Sequence, residues 1–432
     1  MLTRRAMLAP FSRLGLPVLL LALPMFAPLA ACGDASDSSG SDSAESAQSS
    51  VDVAEKDIAV AFAPTSRDLV GVNDALAGGD KVFPRAWYDA VDRAFRGTDV
   101  EDALTSESLY EDWKVVSARI APCAPLGPVP AAAADTLCWP EVRLVFQPIV
   151  RDVRIHERTS EAYADDRAIH AIYPVALADR DETRAQELRR KVTSARFVSG
   201  QPFAPLTPAE LTELTGLRDR AISAVIAGAR ALRGPFPASR FVGIGVRPES
   251  DEGGQASRAL RQRFTAFVSR YARPSQLAEL TAFSLPEGRE PAHLDTWVFV
   301  AFSASGGRLT PKDLTVTSRR DGERLFSFGK SETVSMGTAD PRIAQAIASG
   351  VGRSRELADS VVVRGADIAR LTPALRDRRQ HLVANTTCGT CHMMNPLRFD
   401  FHNFGYLEDR DLTVSPRVTT DVELDLRFLR GR

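Results

Sequence analysis

The chain has 432 residues, 44 % of them hydrophobic and 25 % charged, with a formal net charge of −1 at pH 7. That length can bury a sizeable core, and a charge so near zero gives no electrostatic ground for a nucleic-acid partner.

The N-terminus carries a basic head, Arg4, Arg5 and Arg13, followed by an uncharged stretch from Leu14 to Ala31. A charged head, an apolar middle and small residues before a cut describe an export signal over residues 1–31. The ending Leu29-Ala30-Ala31-Cys32 resembles a bacterial lipobox, in which Cys32 takes lipid and becomes the mature N-terminus. A membrane-spanning anchor is the competing reading, but Pro17, Pro24 and Pro28 interrupt the segment. Residues 32–55 then read as a Ser/Asp-rich tether. Positions 33–50 hold eight serines and four acids and no aromatic residue, too little apolar surface to offset chain entropy.

Residues 56–365 carry the signals of an α+β domain with an antiparallel or mixed sheet. Phe83 and Pro84 precede Trp87, Val91 and Phe95 at a spacing of four, which predicts a helix with Pro84 at its first position. Cys123 and Cys138 flank an Ala- and Pro-rich stretch, and an oxidising compartment favours a disulfide between them. Val142, Leu144 and Phe146 alternate with Arg143, Val145 and Gln147, the pattern of a half-buried strand. A second strand is expected from Ala168 to Val175. Thr207-Pro208-Ala209-Glu210 is a capping box opening a helix through Leu211, Leu214, Ile222, Val225 and Leu232, stopped by Gly234. Gly and Pro gather between residues 233 and 255, where the domain has room to split in two.

Leu260, Phe264, Phe267, Val268 and Tyr271 mark a further amphipathic helix. Thr296 to Phe302 is apolar on both faces and predicts a central strand. Asp340-Pro341 predicts a short helix ending at Gly350. No catalytic signature stands out: Gly243-Ile244-Gly245 lacks a dinucleotide site's third glycine. His156, His170 and His293 are isolated and read as hydrogen-bonded structural histidines.

Residues 366–432 read as a separate, small helical module of cytochrome c-like type. Thr372-Pro373 starts one helix, through Leu375, Leu382 and Val383 to Asn385. Ser415-Pro416 starts the last, with Val418, Val422, Leu426 and Leu429 on one face. Between them lies Cys388-Gly389-Thr390-Cys391-His392. Two thiols in one turn add to the two vinyl groups of haem, and the adjacent imidazole reaches the iron, so this spacing is that of covalent haem c attachment. Chance supplies such a match in roughly one chain in a thousand of this composition. A Cys388–Cys391 disulfide and half of a zinc site are the competing readings, the latter short of ligands.

His392 is the expected proximal ligand. The far side of the iron is open to several candidates: His402, His381, Met336, or no protein ligand at all. Phe399, Phe401, Phe404 and Tyr406 provide aromatic walls for a haem crevice or for the core of any small module.

The run Asn385 to His392, with Asp400-Phe401-His402-Asn403-Phe404 and Tyr406-Leu407-Glu408-Asp409, resembles the haem module of envelope lipoproteins from myxobacteria-like organisms. Arg119-Ile120-Ala121-Pro122-Cys123, Arg143 to Pro148 and His170 to Pro174 resemble the same group. The resemblance implies the architecture and the haem, and no substrate. The expected function is therefore a lipid-anchored single-haem c-type protein of the cell envelope, membrane-held through Cys32, that exchanges electrons with a redox protein partner. Against it stand a non-haem structural or binding lipoprotein with a CxxC disulfide, and a haem sensor or enzyme with an open iron position.

Overall fold

The computed structural model describes residues 52–96, 109–127, 129, 131–154, 159–165, 167–195, 204–284, 298–312, 320–321, 324–325, 378, 404–406 and 412–432. In chain order the elements are α1 (Glu55–Ile58), β1 (Ala59–Ala61), α2 (Arg85–Arg96), β2 (Trp113–Pro125), β3 (Cys138–Arg154), β4 (Thr159–Ala164), β5 (Ala168–Pro174), α3 (Asp179–Ser194), α4 (Pro208–Arg233) and β6 (Gly245–Val246). They continue with α5 (Pro248–Glu252), α6 (Gly254–Tyr271), β7 (Glu279–Ser284), β8 (Val298–Ser305), β9 (Arg308–Lys312), β10 (Arg320–Asp321), β11 (Arg324–Leu325), β12 (Phe404–Tyr406), β13 (Leu412–Val414) and α7 (Pro416–Arg430).

Nine of these strands form one sheet in the order β6-β1-β2-β3-β5-β7-β8-β9, with β4 also paired to β3. The β1–β6 pair is parallel and the other pairs are antiparallel, so the sheet is mixed and the fold class is α+β. Strand β8 lies between β7 and β9, one position in from the edge rather than at the centre.

The local signals that build the helices are visible at their ends. The Pro84 carbonyl accepts from the Trp87 amide at 2.9 Å, and α2 begins at Arg85, so Pro84 stands just outside the helix. At α4, Thr207 Oγ1 accepts from the Glu210 amide at 3.3 Å while Glu210 Oε2 accepts from the Thr207 amide at 2.9 Å. Two orphan donors are satisfied reciprocally. Gly234, at φ 70°, closes the helix in a backbone conformation that side chains disfavour.

Helix α6 packs on α4 through a close approach at Gly228, where a Cβ would run into the Tyr271 ring. The Tyr271 hydroxyl donates to the Ala224 carbonyl of α4. These contacts bridge residues 233–255, and the described residues from 52 onward belong to one unit. The Gly/Pro-rich stretch carries β6, which pairs with β1, and α5, and is not a domain split.

The β2–β3 hairpin is closed at its end by a Cys123–Cys138 disulfide, with Cα atoms 5.0 Å apart. The turn beyond it is held by Arg218 of α4, whose Nη1 donates to the Asp135 and Thr136 carbonyls at 3.1 and 3.0 Å.

Strand β3 is buried on both faces, not on one. Val142, Leu144 and Phe146 fill the apolar face. The other face, expected to meet solvent, lies under the C-terminal segment. Gln147 brackets the backbone of Tyr406, its Nε2 donating to the carbonyl at 2.9 Å and its Oε1 accepting from the amide at 2.8 Å. Ser117 of β2 donates to the Phe404 carbonyl, and the Tyr406 hydroxyl donates to the Phe62 carbonyl at 2.7 Å.

Val418, Val422, Leu426 and Leu429 of α7 join the same hydrophobic core as the sheet. The boundary expected at residue 366 is therefore not a boundary in packing for β12 and α7. Their polar groups are matched to the sheet's polar face.

The disulfide closes a loop of 15 residues, a constraint on the unfolded chain of about 3 kcal/mol. The double substitution Cys123→Ser/Cys138→Ser is expected to lower unfolding free energy by about that amount, read by urea denaturation. Reductant should reproduce the loss in the parent protein and leave the variant unchanged.

Candidate functional site

Besides the buried Arg167–Asp165 pair, three clusters of opposite charges among the described residues differ in how well their polar atoms are satisfied. Arg233 at the end of α4 meets Asp57 with Nε at 3.1 Å and Nη2 at 2.7 Å, and meets Asp52 with Nη1 at 2.9 Å. Arg247 stacks over the Phe241 ring at 4.1 Å and donates to Glu249 and to the Lys56 and Leu232 carbonyls. Those guanidinium groups find acceptors and read as structural pins.

The third cluster lies between the polar face of β2–β3 and α7. Arg119 Nη2 donates to Asp421 Oδ2 at 2.7 Å, and Arg417 Nε donates to Asp421 Oδ1 at 3.0 Å. One turn further along α7, Asp425 Oδ1 accepts from Arg378 Nη1. The Arg378 side chain is 3 % exposed and that of Asp425 0 %. Arg119 Nε, Arg378 Nε and Nη2, and Asp425 Oδ2 are all buried without a hydrogen-bond partner. Buried polar atoms are nearly always satisfied, so four such atoms in one place mark a ligand position or ordered water.

Charge follows the same line. Arg119, Arg378 and Arg417 set their positive charges against Asp421 and Asp425, and Arg378 also faces Asp135. At the rim, Arg143 pairs with Glu141 and adds nothing net. Burial pushes the Asp421 carboxyl up, but Arg417, Arg119, Arg378 and Arg143 together outweigh it and hold it well below the usual carboxylate range. Burial dominates at Asp425 and pushes its carboxyl up to about 6, against the opposing pull of Arg378 and Arg119. The same face carries His170, in register with Val145 of β3. Burial, and then the Arg143 charge, depress its imidazole to about 4, so it stays neutral.

The apolar stripe of α7 was legible in the sequence, but the second stripe, Arg417, Asp421 and Asp425 at a spacing of four, was missed. It lies one residue before the apolar stripe throughout, which makes more than half of the helix surface inward-facing. Most residues expected to hold a cofactor or lipid lie outside the described residues: Cys32, Cys388, Cys391, His392 and His402, with His381, Met336, His156 and His293. So do the export segment, the tether up to residue 51, and the helices expected at 341–350 and 372–385 apart from Arg378. Among the described residues no group of three or more His, Cys, Asp or Glu side chains is placed to hold a metal ion. The chain matches no known protein family, no curated protein and no solved structure.

The two aspartates should give opposite pH dependences. Asp425 holds its proton more tightly folded than unfolded, so its contribution to stability is full below its ordinary pKa of 3.8 and fades as pH rises through about 6. Asp421 contributes above the ordinary carboxylate pKa and loses that contribution only in strong acid. Asp425→Asn should therefore abolish the first dependence alone. Urea unfolding at several pH values should show the parent's stability, relative to the variant's, falling as pH rises between about 4 and 6 and level above that.

Proposed function

We propose that this chain is a lipid-anchored c-type monohaem protein that transfers single electrons in the cell envelope. The observation that carries the reading is the Cys388-x-x-Cys391-His392 spacing in a chain that opens with an export-type leader ending at Cys32. The Cys123–Cys138 disulfide supports it independently, because such bonds persist in oxidising compartments, where haem is attached in this way.

A haem brings two carboxylates with it, and the cluster beneath α7 holds buried guanidinium N–H groups lacking acceptors, a donor set of the kind such carboxylates would take. In this reading Cys388 and Cys391 would hold the porphyrin through thioethers, His392 would supply a ring nitrogen to the iron, and His402 is the candidate for a second ligand. Bound haem iron takes up or releases one electron without breaking a bond.

The described residues on either side of the motif are fixed. Arg378, ten residues before Cys388, is bonded to Asp425 of α7, and β12, twelve residues after His392, is bonded to Ser117 and Gln147 of the sheet. The cytochrome c-like character of the C-terminal region belongs to this proposal, and the electron donor or acceptor is a separate redox protein.

Full-length protein made with haem-maturation machinery should stay coloured through acid-organic extraction and denaturing electrophoresis. Colourless protein carrying a Cys388–Cys391 bond by mass spectrometry would remove this reading. Membrane attachment is separately testable, since acyl chains supply its free energy. Cys32→Ser should move the protein from the membrane fraction to the soluble envelope fraction, and an unchanged distribution would point to an uncleaved apolar segment.

A further inference from the structure

We propose that the Cys123–Cys138 pair is a thiol–disulfide exchange site that takes a dithiol as its reductant, with Arg218 holding Cys138 as the departing thiolate. The bond sits at the end of the β2–β3 hairpin. Ala121 pairs with Glu141 and Ala124 with Trp139, so Pro122 and Cys123 together stand opposite Pro140. A bulge of this kind re-aims a side chain, and here Cys123 meets Cys138.

The surroundings of the two sulfurs differ. Arg218 Nη1, which donates to the Asp135 and Thr136 carbonyls, also lies 3.7 Å from Cys138 Sγ. Asp219 Oδ1 accepts from the other edge of that guanidinium, Nε at 3.3 Å and Nη2 at 3.2 Å, and pairs with Arg432 at 2.7 Å. One nitrogen of a fixed cation is thus aimed at the turn and at Cys138. A cation beside a sulfur favours its thiolate, the better leaving group in exchange. The Asp135 carbonyl oxygen lies 3.5 Å from Cys123 Sγ and 3.4 Å from Cys138 Sγ, an acceptor for either thiol once the bond opens.

The hairpin has backbone bonds enough to outlast the opening. Strands β2 and β3 pair as far as Pro125 and Cys138. Beyond them the Leu126 amide donates to the Leu137 carbonyl at 2.9 Å, and the Leu137 amide to the Ala133 carbonyl at 2.7 Å. Both sulfurs are buried, so a dithiol enters when the exposed Asp135 and Thr136 lift from Arg218. The same movement frees Arg218 Nη1 for the sulfur.

A thiolate of the dithiol attacks Cys123 Sγ and forms a new S–S bond there. The Cys123–Cys138 bond breaks, and its electron pair leaves on Cys138. The second thiol of the dithiol gives its proton to water and attacks the mixed disulfide, releasing Cys123, which takes up a proton. Two electrons have passed to the pair, and the dithiol departs as a disulfide.

The test uses full-length protein with dithiothreitol as the dithiol. Reduction should proceed with the fold intact by circular dichroism, at a rate that low urea concentrations leave nearly unchanged. In the reduced parent, iodoacetamide pulses at about pH 7 should modify Cys138 faster than Cys123, as read by peptide fragmentation. Arg218→Gln should lower that rate ratio about tenfold, the worth of one hydrogen bond to a charged group. At about pH 9, where the thiolate prevails, it should also shift the dithiothreitol equilibrium about tenfold toward the disulfide. Arg218→Lys should stay near the parent in both.

A rate ratio unchanged by Arg218→Gln would overturn the proposal, because a loosened turn speeds both cysteines alike. Reduction whose rate climbs with urea as steeply as global unfolding would overturn it too. Should Arg218→Gln fail to fold, the parent decides: Cys123 modified as fast as Cys138 overturns the proposal. The haem reading stands or falls separately, since neither cysteine belongs to the Cys388-x-x-Cys391-His392 motif.

Discussion

The contact on which the rest of the structure depends is Arg119 to Asp421, an ion pair between side chains 5 % and 1 % exposed that are 302 residues apart in the chain. It joins the second strand of the sheet to the last helix. Through it, the face of β2–β3 that bears Ser117, Arg119, Arg143 and Gln147 becomes an interior surface. Without a cover, those residues would present a wet sheet face; with one, each must find a partner. Loop closure on that scale comes late in folding, because the sheet must exist before its polar face can be matched.

A buried ion pair is poor evidence of stability, since desolvating both partners costs about as much as their attraction returns. What such pairs do supply is a requirement for one arrangement. Asp421 bridges Arg119 of the sheet and Arg417 of its own helix, so sliding α7 by a residue would carry the carboxylate away from the buried Arg119 guanidinium. The clusters at Arg233 and Arg247 do the same for α1, α4 and the segment after β6, with their donors met. The Arg119–Arg378–Asp425 cluster differs in its unmet atoms alone.

How much of this was legible in the sequence depended on whether the signal was local. Thr207, Pro208, Glu210 and Gly234 define α4 by chemistry within one turn of each end, and the helix spans Pro208–Arg233. Trp87, Val91 and Phe95 define α2 in the same way, displaced at its start by one residue. The β3 pattern was read correctly as a strand and incorrectly as half-buried. Alternation tells which residues share a face and is silent on what covers that face.

The same limit explains the C-terminal region. Four apolar residues on α7 suit a small module and a large core equally, and only Arg417, Asp421 and Asp425 hold the information that the helix docks on a charged surface. Reading them required knowing that Arg119 lies opposite, and nothing near residue 421 records that.

The ion cluster also connects two properties that would otherwise be independent. One is the packing of α7, since the side chains that hold it to the sheet carry its buried charges. The other is proton binding at Asp425. Linkage makes the two reciprocal: a proton on Asp425 favours the folded state over the unfolded one, and folding in turn holds that proton more tightly. Burial raises the group to about 6, so its occupancy changes between the ordinary carboxylate range and neutrality. The cost of burying Asp425 therefore has a consequence beyond packing: it leaves a proton-binding group on the helix that closes the fold.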